Sequence, residues 1–171
     1  MLTSQDCSAT IPPEVKMIPV FLTLLASVSL AEEPTKLPVS MNVGGFGVVT
    51  LKHGLEAKYI YFGPSVYLPL SEHLGFIPSL TIEAAPGSGA WGFALTATFD
   101  YAVSEHVGLD LVPALLQDTT SEGTIPVLAF GPGATYLFKD EVAVSVVCQG
   151  AYMIGEDLWV INPGLNLAVP F

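Results

Sequence analysis

The feature of this sequence that most limits its fold is a strict alternation of large apolar side chains with small or polar ones. In 91–101, Trp, Phe, Leu, Ala, Phe and Tyr take every second position, and Gly, Ala, Thr, Thr and Asp fill the positions between. Segment 159–171 alternates in the same way and ends on Phe171. A helix with 3.6 residues per turn does not sort side chains like this, whereas a β-strand does. Both segments are therefore predicted to be strands with one large apolar face.

Weaker alternation predicts further strands near 40–51, 57–70, 75–84, 108–117, 125–138 and 142–153. The total is about eight strands of roughly 10–14 residues, long enough to cross a bilayer when tilted. Three similar segments, 70–75, 103–108 and 138–143, are predicted to be turns that close successive hairpins. Short loops are predicted at 52–56, 85–90, 118–124 and 154–157. The resulting fold class is all-β, a closed antiparallel up-and-down barrel.

The composition decides which face of these strands points outward. Hydrophobic residues make up 51% of the chain and charged residues only 12%, whereas a soluble domain carries about a quarter charged residues. A high apolar content spread over alternating positions is typical of a transmembrane β-barrel, whose narrow interior takes small and polar side chains. The residues predicted to face lipid are Phe76, Leu80, Ile82, Phe93, Leu95, Phe99, Leu109, Leu111, Phe130, Val144, Val146, Leu165 and Leu167.

Aromatic side chains are predicted to mark the two membrane interfaces. Trp91 and Trp159 begin strands that follow a loop, so they are expected at the loop end of the barrel. The aromatics that end strands are expected to form a girdle at the turn end, and these are Tyr101, Tyr136, Phe138 and Phe171.

The one long apolar run, 17–31, has the length and small-residue ending of a signal peptide. Cleavage is predicted after Ala31, which divides the chain into an N-terminal extension with signal peptide, 1–31, and a barrel, 32–171. The segment before Met17 carries Asp6 and Glu14 against the single cation Lys16. Because signal peptides begin with positive charge, translation is expected to start at Met17.

The net charge of −11, with 16 acidic residues, 5 lysines and no arginine, argues against nucleic acid as a partner and against docking on an anionic bilayer surface. Most carboxylates outside the predicted strands are expected to be solvated. These are Glu72, Glu105, Asp118, Glu122, Asp140, Glu141, Glu156 and Asp157.

The inward face supplies the candidate functional residues. Asp100 and Asp110 flank the second turn and are predicted to approach each other in the lumen. One interpretation is that water and the hydroxyls of Tyr59, Tyr61 and Tyr67 satisfy them; the alternative is an acidic lumen that passes or holds small cations. The polar lumen candidates are Glu83, Asp100, Asp110, Tyr59, Tyr61, Gln149, Asn162 and Asn166.

No catalytic residue, cofactor or metal ligand set is predicted. His73 and His106 lie in the repeated turns, where solvation is expected. His53, Glu56 and Ser88 contain the residue types of a hydrolytic triad, but no local motif accompanies them. Gly44-Gly45-Phe46-Gly47 does not match a nucleotide-binding loop, and it is interpreted as a strand segment that eases curvature or packing.

The last eight residues, 164–171, resemble the terminal strand signal of outer-membrane β-barrel proteins, carried here by Leu165, Leu167, Val169 and Phe171. Together with the signal peptide and the Ser-Glu-His turns, the chain resembles the small eight-stranded barrels of the OmpA/OmpX type. The resemblance implies a bacterial outer-membrane location, a monomer with membrane lipid and the barrel assembly machinery as partners, periplasmic turns and outward-facing loops.

The leading functional hypothesis is a non-enzymatic barrel with a structural, interaction or minor permeability role. Three alternatives remain open from the sequence. The first is a narrow channel or binding barrel of the OmpW kind for small apolar molecules or cations. The second is a lipid A-modifying barrel enzyme, and the third is a soluble, secreted lipocalin-like binding barrel.

Overall fold

The computed structural model describes residues 39–50, 53–120, 123–138 and 142–171. The predicted signal peptide, its cleavage site and the alternative start lie outside these residues. The strands, which belong to one compact unit spanning Leu37–Phe171, are β1 Val39–Thr50, β2 Gly54–Val66, β3 Leu68–Pro69, β4 Leu74–Ala84, β5 Trp91–Ala102, β6 Val107–Thr120, β7 Gly123–Leu137, β8 Ala143–Met153 and β9 Leu158–Pro170.

The strands close into an antiparallel barrel. From β4 to β9 each strand pairs with the next one in the chain, β9 pairs with β1, and β1 pairs with β2. The β2 and β3 segments are two parts of one strand interrupted at Tyr67, and both pair with β4. The nine segments therefore occupy eight strand positions, and the predicted closed up-and-down barrel is confirmed.

Two predicted loops are shorter than expected. The β6–β7 ladder continues to the pairs Thr119↔Thr124 and Thr120↔Gly123, where Gly123 has a φ of 140° that permits a tight connection. The prediction that Asp118 is a solvated loop residue is therefore wrong, because it lies within β6, half-buried. Likewise, 54–56 belong to β2, and Glu56 accepts a hydrogen bond from Thr50 at 2.8 Å. Glu122, Asp140 and Glu141 lie outside the described residues.

The outer surface of the barrel is apolar, as predicted. The strand residues predicted to face lipid include ten that are 38–59% exposed: Leu80, Ile82, Phe93, Phe99, Leu109, Leu111, Phe130, Val146, Leu165 and Leu167. The other three, Phe76, Leu95 and Val144, are partly covered on the same face. In a soluble barrel these side chains would fill the interior. Here the interior receives the small and polar residues, an arrangement that suits a lipid environment.

Aromatic side chains occupy both ends of this outer surface. Trp91 and Trp159, which are 47% and 66% exposed, lie at the loop end. At the turn end, Tyr101, Tyr136 and Phe138 are about as exposed, and Phe171 is 79% exposed. The predicted division of aromatics between the two ends is thus confirmed.

Candidate functional site in the lumen

The loop end of the lumen is filled by apolar side chains. A buried cluster is formed by Ala94, Ala114, Leu116, Val127, Ala129, Ala151 and Val160, with Phe46 and Val48 packed against it. A second cluster, Tyr59 with Ala85 and Ala90, packs against the same Phe46 and Val48. Because Ala151 is fully buried and Val160 is 4% exposed, this part of the interior is a packed core.

A cavity of about 530 Å³ occupies the rest of the lumen. Its inner limit is formed by Phe46 and Leu116, and it extends to the β5–β6 turn, where Ser104, Glu105 and His106 line it. Most of its wall is apolar, and hydroxyl and amide groups are distributed over it: Ser40, Asn42, Ser65, Ser79, Thr81, Thr96, Thr98, Thr135, Ser145, Gln149 and Asn166. The cavity therefore carries polar groups on a largely apolar wall, reaches the turn end, and borders the apolar clusters at its inner end.

Asp100 and Asp110 meet in this cavity. They are direct partners across β5 and β6, as the short turn between them predicts. Asp110 is 8% exposed and accepts a hydrogen bond of 2.5 Å from the Thr135 hydroxyl, which in turn is 2.7 Å from the Ser145 hydroxyl. The Asp100 Oδ1 atom has no hydrogen-bond partner. One carboxylate is thus well supported by hydroxyls, and the other is not.

Glu83 is the deepest acidic side chain of the cavity. It is 3% exposed, lines the cavity, and its Oε2 atom has no hydrogen-bond partner. On the neighbouring strands, Glu83 pairs with Gly92, and Gly92 pairs with Asp118. Two carboxylates therefore flank a glycine at the loop end, and Tyr59 donates a hydrogen bond of 3.3 Å to Asp118 Oδ2.

Aromatic rings form the inner wall beside these carboxylates. Phe46 stacks on Tyr59 with ring centroids 5.0 Å apart and planes at 4°, and it also contacts Tyr61 at 6.3 Å. Tyr61 donates a hydrogen bond of 3.3 Å to the Leu165 carbonyl. The sequence identifies Phe46 only as part of a strand segment that eases curvature or packing. Its even spacing from Asn42 and Gly44 is the signal that places it on the inward face.

The three amide side chains predicted to face the lumen differ in their hydrogen bonds and in whether they line the cavity. Gln149 donates to the Val112 carbonyl at 2.9 Å, and Asn166 donates to Asn42 Oδ1 at 3.0 Å, so both are fixed in the cavity wall. Asn162 is 4% exposed and is not among the residues that line the cavity. Oδ1 atoms of Asn162 and Asn166 have no partner.

Over the described ranges, no three His, Cys, Asp or Glu side chains lie together in a way that could hold a metal ion. The same residues include no helix long and apolar enough to span a membrane.

Comparison with known proteins gives matches in structure. No protein-family model and no curated protein matches the chain. The attachment invasion locus protein Ail of Yersinia pestis superposes with a TM-score of 0.53 over 80% of this chain and 100% of its own, at 14% identity. The chain has the fold of a small eight-stranded outer-membrane β-barrel.

Two further barrels match a similar share of this chain. The N-terminal barrel domain of Pseudomonas aeruginosa OprF matches with a TM-score of 0.49 at 13% identity, over 77% of this chain and 96% of that domain. Neisserial surface protein A matches with a TM-score of 0.49 at 14% identity, over 78% of this chain and 96% of its own.

None of the hydrogen bonds of the described residues joins His53, Glu56 and Ser88 to one another. The Ser88 hydroxyl donates to the Ala85 carbonyl at 3.2 Å and accepts from the Ala90 amide at 3.2 Å, so it is used within its own loop. Glu56 accepts from Thr50, and the Thr50 hydroxyl also accepts from the His53 backbone amide at 3.0 Å. These hydrogen bonds stabilise two separate connections at the loop end.

Proposed function

We propose that the protein is a monomeric barrel of the bacterial outer membrane, exported by its N-terminal segment, with a structural or interaction role and no catalytic activity. The observation that carries the proposal is the belt of large apolar side chains exposed around the whole barrel between two aromatic ends. Exposing such a surface to water costs about 25 cal/mol per Å², whereas contact with lipid removes this cost. Contiguous apolar surface of this kind is rare on soluble monomers.

The packed loop end supports a structural or interaction role over free permeation. A solute that entered the cavity from the turn side would meet Phe46 and Leu116 before it reached the loops. The described connections at the loop end are short, as in Ala85–Ala90 and Ile154–Asp157. Interaction with other molecules would therefore use the barrel rim and the short loops.

The proposal of a non-catalytic barrel is supported by the separate use of His53, Glu56 and Ser88. It predicts that lipid A from cells with and without the gene has the same mass. A mass difference that disappears when the gene carries Ser88→Ala would contradict the proposal and support the lipid A-modifying alternative.

The membrane location is tested by gel mobility of the protein before and after boiling, and by a charged substitution on the outer surface of the barrel. A folded membrane barrel is expected in the membrane fraction and is expected to change mobility on a denaturing gel after boiling.

Phe130→Arg places a cation in the middle of β7 on the outer face, where Phe130 is 58% exposed. In a bilayer this costs about 2–4 kcal/mol. Unfolding with urea in lipid vesicles measures the loss.

The matched control is Glu72→Arg, which introduces the same side chain at an exposed turn position. It is expected to leave stability within about 0.5 kcal/mol. A soluble protein without a mobility shift, in which Phe130→Arg is as harmless as Glu72→Arg, would instead support a secreted lipocalin-like barrel.

A further inference from the structure

Among the described residues, no lysine or arginine lines the cavity beside its acidic side chains. These are Glu83, Asp100, Glu105 and Asp110, and His106 at the β5–β6 turn is the one basic side chain in the described part of the wall. The chain has no arginine, and Lys58, the one lysine within the described residues, is exposed on the outer face. We propose that this cavity binds a linear polyamine, a flexible chain of ammonium groups joined by methylene segments, which enters from the turn end. The inference goes beyond the proposed function and requires only the folded barrel.

The fully buried polar atoms of the cavity that lack a partner are hydrogen-bond acceptors. Glu83 Oε2, Asp100 Oδ1 and Asn166 Oδ1 lack partners, and all three residues line the cavity. Burying a carboxylate oxygen without a donor is costly, and Glu83 is only 3% exposed. An ammonium group carries up to three donors and no acceptor. A cationic ligand with only donors therefore complements this set of atoms.

The spacing of the carboxylates favours an extended ligand over a single metal ion. Asp100 pairs with Gly75, and Glu83 lies eight residues beyond Gly75 along β4. This corresponds to about 27 Å of strand and, at a tilt of about 35–45°, to about 20 Å along the barrel axis. A divalent metal ion needs several oxygens within about 2.6 Å of one point, and no such group exists among the described side chains. A chain with several separated charges can approach one carboxylate after another.

The remaining wall suits methylene segments between ammonium groups. Ile77, Val112 and Val147 contribute apolar surface to the cavity. Tyr61 and Phe46 add aromatic rings that attract cations within about 6 Å of a ring face. The hydroxyls of Ser79 and Thr96 bond to each other, so this pair competes little for the ligand. The cavity wall thus offers apolar surface for methylene segments as well as acceptors for ammonium groups.

The test is titration of spermine, a linear tetraamine, into the folded full barrel in detergent, with the heat of binding measured by calorimetry. Saturable binding of one spermine per barrel is expected. Asp100→Asn with Asp110→Asn is expected to weaken binding at least about tenfold, as is Glu83→Gln, because each removes a charge-assisted contact. The control, Glu72→Gln with Glu156→Gln, removes the same two charges at exposed positions outside the cavity and should leave the affinity unchanged.

Probes on the unmodified barrel make the test independent of whether the variants fold. Affinity should rise from butylamine to 1,4-diaminobutane to spermine at constant ionic strength, and 1,4-butanediol should not bind. Nuclear Overhauser contacts from spermine methylenes should reach the Tyr61 ring and not Trp91. Absence of binding, equal affinity for the three amines, equal weakening by the control pair, or displacement by equimolar Mg²⁺ would each overturn the proposal. The mobility shift on boiling is measured separately, so its failure is distinguishable from failure of amine binding.

Discussion

At the residue scale, glycines allow large lumen groups to lie against the barrel wall. Gly44 is directly opposite Tyr61 in the β1–β2 ladder, and a methyl group at Gly44 would overlap both the Tyr61 ring and the Leu165 carbonyl oxygen. Gly108 likewise leaves room for the Asp100 carboxylate, and Gly75 for the Tyr67 ring. The position of an acidic or aromatic lumen group thus depends on the absence of a side chain on the neighbouring strand.

Gly44→Ala is expected to destabilise the barrel by about 1–3 kcal/mol, because the added methyl group overpacks the wall against Tyr61. Gly150→Ala is the control, since a methyl group there would meet only the Phe130 carbonyl oxygen at 3.9 Å. Urea unfolding in vesicles compares the two. Equal stability of both variants would show that Tyr61 does not need the space above Gly44.

At the scale of elements, a repeat in the sequence becomes a repeat of hairpin structure. In the turn before β4, the Leu74 amide donates to the Ser71 hydroxyl at 3.2 Å, and in the turn before β6 the Val107 amide donates to Ser104 at 3.2 Å. In both turns, the histidine that lies two residues after this serine contacts a tyrosine of the neighbouring strand. The ring centroids are 6.2 Å apart both for His73 and Tyr101 and for His106 and Tyr136.

The last strand closes the barrel, and its final side chain contributes little to the closed form. β9 pairs with β8 and with β1, and the Phe171 amide donates to the Val39 carbonyl at 3.2 Å. The Phe171 side chain is nevertheless 79% exposed. We propose that this side chain, with Leu165, Leu167 and Val169, serves recognition by the barrel assembly machinery before the barrel closes.

Phe171→Ala is expected to lower the amount of folded protein in the outer membrane several-fold, while the variant refolded in detergent keeps its stability to within about 1 kcal/mol. Quantitative blotting of unboiled membranes and urea unfolding measure the two effects. Phe138→Ala is the control, since it removes an exposed aromatic at the same end of the barrel but away from the terminus. Equal membrane levels for both variants would contradict the recognition role.

At the scale of the whole molecule, the barrel has a packed half and a hollow half. Leu116 and Val160 belong to the packed cluster at the loop end, and the cavity extends from there to Asp100 and Asp110 at the turn end. Leu116→Gly with Val160→Gly is expected to raise single-channel conductance in planar bilayers several-fold, because it removes side chains that fill the lumen. The current should favour cations, since the lumen wall is acidic.

The control replaces outward neighbours on the same strands, Leu115→Gly with Ile161→Gly, and is expected to leave the low conductance of the unmodified barrel unchanged. Adding Asp100→Asn and Asp110→Asn to the opened barrel should reduce its cation selectivity. Conductance of the unmodified barrel equal to that of the opened variant would show that the loop end is not the barrier.

The sequence alone determined the strands, the outward faces and the meeting of Asp100 with Asp110. Successive side chains in a strand point to opposite sides, so each alternating segment carries its own division into lipid and lumen faces. The two aspartates meet across one short turn, which is also a local relation.

Only the tertiary structure decided which inward residues share a level of the lumen. Glu83 and Asp118 flank Gly92 because three strands are in a particular register. Phe46 joins Leu116 and Val160 because β9 closes onto β1. Register between distant strands depends on closure and stagger of the whole barrel. Alternation in the chain therefore predicted that Phe171 ends a lipid-facing strand. The packed loop end and the cavity with its carboxylates follow from closure of the barrel.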